Sequence, residues 1–128
     1  MRVFLTKWMV RFARRECIPL ANLSEAIGRA EAGLIGADLG GGLIKQRVAR
    51  PGEGRSGGYR TIVAYRRAGR AVFLYGFAKQ ERDNIGPDEL TELRKVGQNW
   101  LDASEETISE AVEQEKLQEV NPWRAPKS

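Results

Sequence analysis

Hydrophobic positions along this chain switch from helical spacing to alternation and back again. Leu5, Trp8, Met9 and Phe12 fall at helical spacing, with Lys7, Arg11, Arg14 and Arg15 largely on the other side. This pattern predicts a first strand over Arg2 to Leu5 running into a core-packed helix. A second helix is predicted from Pro19 to Ala32. Leu20, Leu23, Ile27, Ala30 and Leu34 keep one face apolar, Pro19 suits a helix start, and Gly33 suits a C-terminal cap.

Strands are predicted at Leu43 to Arg50, Tyr59 to Arg67 and Ala71 to Lys79, each rich in β-branched or aromatic residues. The run Gly40-Gly41-Gly42 reads as a turn. No Lys-Ser/Thr of a phosphate loop follows it, and no helix begins there. Pro51 to Gly58 reads as a glycine-rich loop. Ala68-Gly69-Arg70 is short enough to demand an antiparallel hairpin. Strands joined by such short links make a meander rather than a doubly wound sheet.

A third helix starts at Gly86-Pro87-Asp88-Glu89, with proline at the first helical position and acids in the first turn. Leu90, Leu93, Val96, Gly97, Trp100 and Leu101 supply its buried side. Ser104 caps a fourth helix whose apolar positions, Ile108, Ala111 and Val112, are sparse. That helix is expected to be weakly held, docking on a partner or only partly ordering. The expected fold class is α+β: an antiparallel meander with two N-terminal helices packed on it and helices at the C-terminus. One domain is expected over residues 1–120, followed by a disordered tail from Asn121 to Ser128.

With 128 residues, the chain suffices for one domain with a real core. Its single cysteine, Cys17, forbids an internal disulfide and fits a reducing compartment, so a cytoplasmic location is expected. Cys17 itself is expected to be a small buried apolar residue. The opening Met1 to Arg15 holds no apolar run as long as a signal-peptide core or a membrane span, and no membrane partner is expected. There is no histidine, which removes the usual ambient-pH acid/base and the commonest metal ligand. No metal site and no cofactor are expected. Catalysis would have to rest on Lys, Arg, Tyr or carboxylates.

Charge is unevenly spread. Lys45 to Arg82 holds ten Lys/Arg against Glu53 and Glu81, whereas Asp83 to Val120 holds eleven Asp/Glu against three Lys/Arg. A basic sheet face beside acidic helices is suited to a polyanion, nucleic acid above all. Side chains alternate along a strand, so Lys45 and Arg47 project from one face. If Arg60 and Lys79 share that face, four cations converge. Phe73, Tyr75 and Phe77 have the parity of Lys79 and would set rings beside the charge, a stacking platform for single-stranded RNA.

The run from Gly41 to Val63, with its Lys45-Gln46-Arg47 and Gly58-Tyr59-Arg60, followed by Val72 to Ile85 with its Phe77-Ala78-Lys79, closely resembles the RelE superfamily of bacterial type II toxins, in its HigB-like branch. The resemblance runs from Val3-Phe4 and Lys7-Trp8 through Glu89-Leu90 and weakens beyond Ser104. It implies an mRNA endonuclease acting on message in the ribosome and neutralised by a cognate antitoxin, often one with a helix-turn-helix domain. It also implies an α+β fold.

RNA can be cut without metal when its own 2′-hydroxyl attacks the adjacent phosphate. Arg60 and Arg47 then suit phosphate binding and transition-state stabilisation, because a guanidinium grips two oxygens and stays charged. Lys45 is a candidate base if neighbouring cations lower its pKa, and Lys79 a candidate proton donor or phosphate ligand. Arg50, Arg55, Tyr75, Phe77 and Arg82 are candidate RNA contacts, with Phe77 stacking on a base. The chain departs from the better-known pattern in having no tyrosine after Tyr75 and no histidine, so the general base stays open between Lys45 and Tyr75. Two alternatives stand beside the nuclease: a ParE-like gyrase inhibitor, a class that lacks the catalytic cations, and a non-catalytic RNA- or protein-binding module.

Overall fold

The computed structural model describes residues 1–50, 54–82 and 84–120, with the side chains of 54–56 outside that set. The expected tail, 121–128, lies outside the described residues. Ten elements follow in order: β1 (Arg2–Thr6), α1 (Lys7–Arg15), α2 (Leu20–Glu31), β2 (Ala37–Gly40), β3 (Leu43–Arg50), β4 (Gly54–Arg66), β5 (Arg70–Ala78), α3 (Pro87–Asp102), α4 (Glu105–Glu113) and β6 (Leu117–Glu119). The six strands form one sheet in the order β2-β3-β4-β5-β1-β6. The fold is α+β.

The expected meander is β3-β4-β5, antiparallel throughout. β1 extends it by pairing parallel to β5, with Val3 beside Ala71, and β6 pairs antiparallel to β1. The stretch expected to be a loop up to Gly58 is strand from Gly54 onward, since Arg50 pairs with Gly54 and the hairpin arms are long. Glycine weakens a strand but does not forbid one when a partner supplies the ladder. The Gly40–Gly42 turn behaves as expected: all three residues have positive φ, between 62° and 82°, which L side chains rarely adopt.

Alternation along the strands feeds two apolar layers. Ile44, Val48, Tyr59, Val63 and Phe73 pack with Met9 and Phe12 of α1 and Leu23, Ile27 and Ala30 of α2. Leu43, Ile62, Ala64, Val72 and Leu74 pack on the opposite face with Leu101 of α3 and Ile108 and Ala111 of α4. Thr6 caps α1 by accepting from the Met9 amide at 3.3 Å. α2 ends in a Schellman turn, where the Leu34 amide donates to Arg29 O at 2.8 Å and the Gly33 amide to Ala30 O at 2.9 Å. Leu34, expected on the apolar face of α2, therefore lies past the helix and is 64% exposed.

Two further expectations are corrected. Cys17 is exposed rather than buried, because it occupies the left-handed position, φ 55°, where the chain reverses after α1. The segment after Ser104 is firmly built in rather than weakly held. Ile108, Ala111 and Leu117 are all in the core, and the Ser104 hydroxyl accepts from the Thr107 amide. The buried Arg70 guanidinium donates to Trp100 O at 2.7 Å and Ala103 O at 2.8 Å and pairs with Glu105 at 2.7 Å. Cations at the last carbonyls of a helix satisfy orphaned acceptors and oppose the dipole. Arg66 does the same at Leu101 O, 3.0 Å away. Part of the basic strand's charge thus serves α3.

Candidate functional site

Register decides which cations meet. On β3, Leu43 belongs to the α3 side and Ile44 to the α1–α2 side, so Lys45 and Arg47 share the α3 side with Leu43. Arg47 pairs directly with Arg60 of β4, and Arg60 pairs in turn with Phe77 of β5. One row along, Lys45, Ile62 and Tyr75 stand abreast.

Lys45, Arg47 and Arg60 line a hollow of about 520 Å³ at the edge of the sheet, beside the point where β2 begins. Its other wall is Arg29 with Leu34, Ile35, Gly36 and Ala37. Gln46 holds that wall in place. Its amide donates to Ala26 O at 2.8 Å and Leu34 O at 3.1 Å, and its carbonyl accepts from the Gly36 amide at 2.8 Å. Arg29 is occupied, paired with Glu25 at 2.7 Å and donating to Arg47 O.

Arg60 is not occupied. Its Nη1 is buried and has no hydrogen-bond partner, alone in this respect among the described residues. Burial, and then the charge of Arg47, push its pKa below the ordinary arginine value. A buried guanidinium nitrogen without an acceptor costs free energy until an anion supplies one. An acceptor placed in the hollow would satisfy this nitrogen.

The remaining candidates divide. Lys79 follows the end of β5, past the last β4–β5 pair, Tyr59 with Ala78, and does not line the hollow. The expected convergence of four cations is thus one of three. Phe73 leaves the platform altogether. Ile62 opposes Tyr75 while Val63 opposes Phe73, so Leu74 is the extra residue of a β-bulge. The bulge reverses the parity and sends Phe73, fully buried, into the α1–α2 core.

Phe77 keeps the expected side but is 2% exposed, with the Arg82 guanidinium 5.6 Å from its ring centre. A ring so covered offers no open face to a base. Arg82 also donates to the Tyr75 hydroxyl at 3.3 Å and grips Glu89 with both terminal nitrogens, at 2.6 and 3.1 Å. Glu89 is accordingly held below the usual carboxylate range, first by Arg82 and then by the Gly86 amide. Arg50 leans over the Tyr59 ring and bonds Gln80, on the side of the sheet that α1 covers. The side chain of Arg55 lies outside the described residues. A second concavity, about 460 Å³ between α1 and β6, mixes Lys7, Arg11 and Arg14 with Glu115 and holds no orphaned buried donor among the described residues.

Sequence reasoning missed Gln46, Arg29, Leu34 and Ile35. Only Gln46 carried a signal: a polar residue at a strand position flanked on the same face by Ile44 and Val48.

A family model, the RelE toxin of the RelE / RelB toxin-antitoxin system, matches residues 1–120. The chain belongs to the RelE toxin family. No curated protein and no solved structure matches it. Membership of the RelE family makes it a toxin and implies a cognate antitoxin as partner. The match extends past Ser104, where the resemblance in sequence fades, and so takes in α4 and β6. No helix among the described residues is long and apolar enough to cross a membrane.

Proposed function

We propose that this RelE-family toxin is an mRNA endonuclease whose scissile phosphate lies in the hollow between Arg47, Lys45 and Arg60. The observation that carries this reading is the buried, unpartnered Nη1 of Arg60 beside a second guanidinium. A phosphodiester supplies the acceptor that Arg60 lacks and the negative charge that the Arg47–Arg60 pair requires. Two guanidinium forks bind an anion of this shape better than two ammonium groups would.

In the proposed reaction the 2′-hydroxyl oxygen attacks the adjacent phosphorus and the bond to the 5′-oxygen breaks. The products are a 2′,3′-cyclic phosphate and a 5′-hydroxyl end. Charge on the equatorial oxygens grows in the transition state, and Arg60 and Arg47 stabilise it there. Lys45 is the side chain of the hollow suited to exchange a proton with the reacting oxygens. Lys79, outside the hollow, serves as a phosphate ligand on the neighbouring nucleotide. The message is engaged on the ribosome, and a helix-turn-helix antitoxin opposes the toxin.

Induced expression combined with primer extension on message tests this. Wild-type protein arrests growth and leaves discrete cuts in translated mRNA, whereas Arg60→Ala does neither while folding normally. Growth arrest with intact message and inhibited gyrase would replace the nuclease by a ParE-like activity. Full cleavage by Arg60→Ala would refute the assignment of the site.

A further inference from the structure

Trp8 is the one aromatic among the large apolar side chains left exposed in the described residues, at 40%. It stands on the first turn of α1, between the exposed cations Lys7 and Arg11. Its inner side is already satisfied. The ring lies 4.4 Å from Tyr75 at an interplanar angle of 31°, and 5.4 Å from Phe12, nearly parallel. The part of the indole that these rings leave uncovered is exposed and bordered by positive charge.

A row of packed side chains links Trp8 to the hollow. Phe77 is the cross-strand neighbour of Arg60, Tyr75 follows 6.2 Å from Phe77, and Trp8 rests on Tyr75. Arg82 bridges the middle of this row through the Tyr75 hydroxyl and the Phe77 ring. An aromatic face a short distance from phosphate-binding guanidinium groups is how single-stranded nucleic acid is held without reading its sequence.

We propose that Trp8, backed by Tyr75, stacks on an unpaired nucleobase of the strand whose phosphate occupies the Arg47–Arg60 hollow. The inference rests on the nuclease reading and narrows its substrate to strands with a splayed base near the cut. A base paired inside a duplex presents its edges rather than its face and is not taken. Lys7 and Arg11 then lie along the backbone of the same segment.

The test is binding of a short single-stranded RNA made uncleavable by 2′-deoxy substitution, followed through tryptophan emission. Wild-type emission is quenched as the RNA binds, and a duplex of the same sequence binds weakly. Trp8→Leu loses most of the quench and binds about tenfold more weakly, a loss typical of one stacked base. Trp8→Phe keeps most of the affinity, and its intact ring packing serves as the fallback should Trp8→Leu fail to fold. Affinity unchanged in Trp8→Leu, or a quench that persists in Trp8→Phe, overturns the platform while binding that still needs Arg60 leaves the nuclease site standing. No binding by wild type overturns the platform and leaves the nuclease reading to its own test on translated message.

Discussion

Arg47 and Arg60 face each other directly across β3 and β4, a like-charged cross-strand pair inside a concave site. Such pairs destabilise a sheet, and here burial of the Arg60 nitrogen adds to the cost. A fold keeps this arrangement where a ligand relieves it. Arg60→Leu is therefore expected to raise stability by about 1 kcal/mol, several degrees in Tm, while abolishing message cleavage. Phosphate or sulfate should raise the Tm of wild type more than that of the variant, since an anion bound only by the native site stabilises it. Thermal melts with and without phosphate check both. A variant less stable than wild type and equally responsive to phosphate contradicts the account.

Gly97 marks where α3 comes closest to the sheet. A Cβ there would stand 2.8 Å from Leu43 Cδ2, 3.1 Å from Ala64 Cβ and 3.2 Å from Leu74 Cδ1. Alanine gains about 1 kcal/mol in helix propensity, and overpacking of a tight contact costs about 1–3 kcal/mol. The packing cost wins, because the Ala64 Cβ has no rotamer by which to withdraw. Denaturant titration of Gly97→Ala should show a net loss of about 1 kcal/mol. A gain would mean that α3 can lift from the sheet freely.

Glu105 joins two arginines, Arg70 at 2.7 Å and Arg2 at 2.5 Å. Those hydrogen bonds, that of Arg70 first, hold its carboxyl below the usual glutamate range. A depressed carboxylate contributes stability above its unfolded pKa of about 4.3 and loses it as pH falls through the lower folded value. Glu105→Gln should therefore melt below wild type at neutral pH, with the gap closing as pH drops below about 4. A gap that stays constant into acid would show that the Glu105 contribution is packing rather than charge.

Cys17 holds a left-handed backbone conformation with φ 55° at the end of α1. Its amide donates to Arg14 O at 3.2 Å, and the next amide, of Ile18, reaches Ala13 O at 2.9 Å, the bonding of a turn that glycine favours. Cys17→Gly is expected to stabilise the fold by about 0.5–1 kcal/mol, since relief of the side-chain clash exceeds the added freedom of the unfolded chain. A calorimetric scan checks the sign.

The helices and the three long strands were legible because each carries its own signal: periodicity, Pro87 at a helix start, Ser104 as a cap. β3 was readable to the residue, from Leu43 to Arg50. β2 and β6 were not, since Ala37–Gly40 and Leu117–Glu119 are too short to show a pattern and exist by pairing with distant strands. The shared side of Lys45 and Arg47 followed from alternation alone. The fate of Phe73 did not, because the bulge at Leu74 arises from how β4 and β5 register on their two cores. The fit of Arg60 opposite Arg47 required the hairpin length, which the glycines near Gly54 concealed. Trp8 was read as core because a helical stripe predicts a buried side, and β1 ends before it can cover the far end of β5.

β1 sits between β5 and β6, so the earliest segment of the chain has both its neighbours among later ones. Its contacts with β6 join residues more than a hundred positions apart, as in the Arg2–Glu119 hydrogen bonds. Loop closure on that scale is slow relative to local hairpins and helices. Closing the sheet must wait until Leu117 to Glu119 have left the translating ribosome, so the finished poison cannot assemble before its last strand emerges.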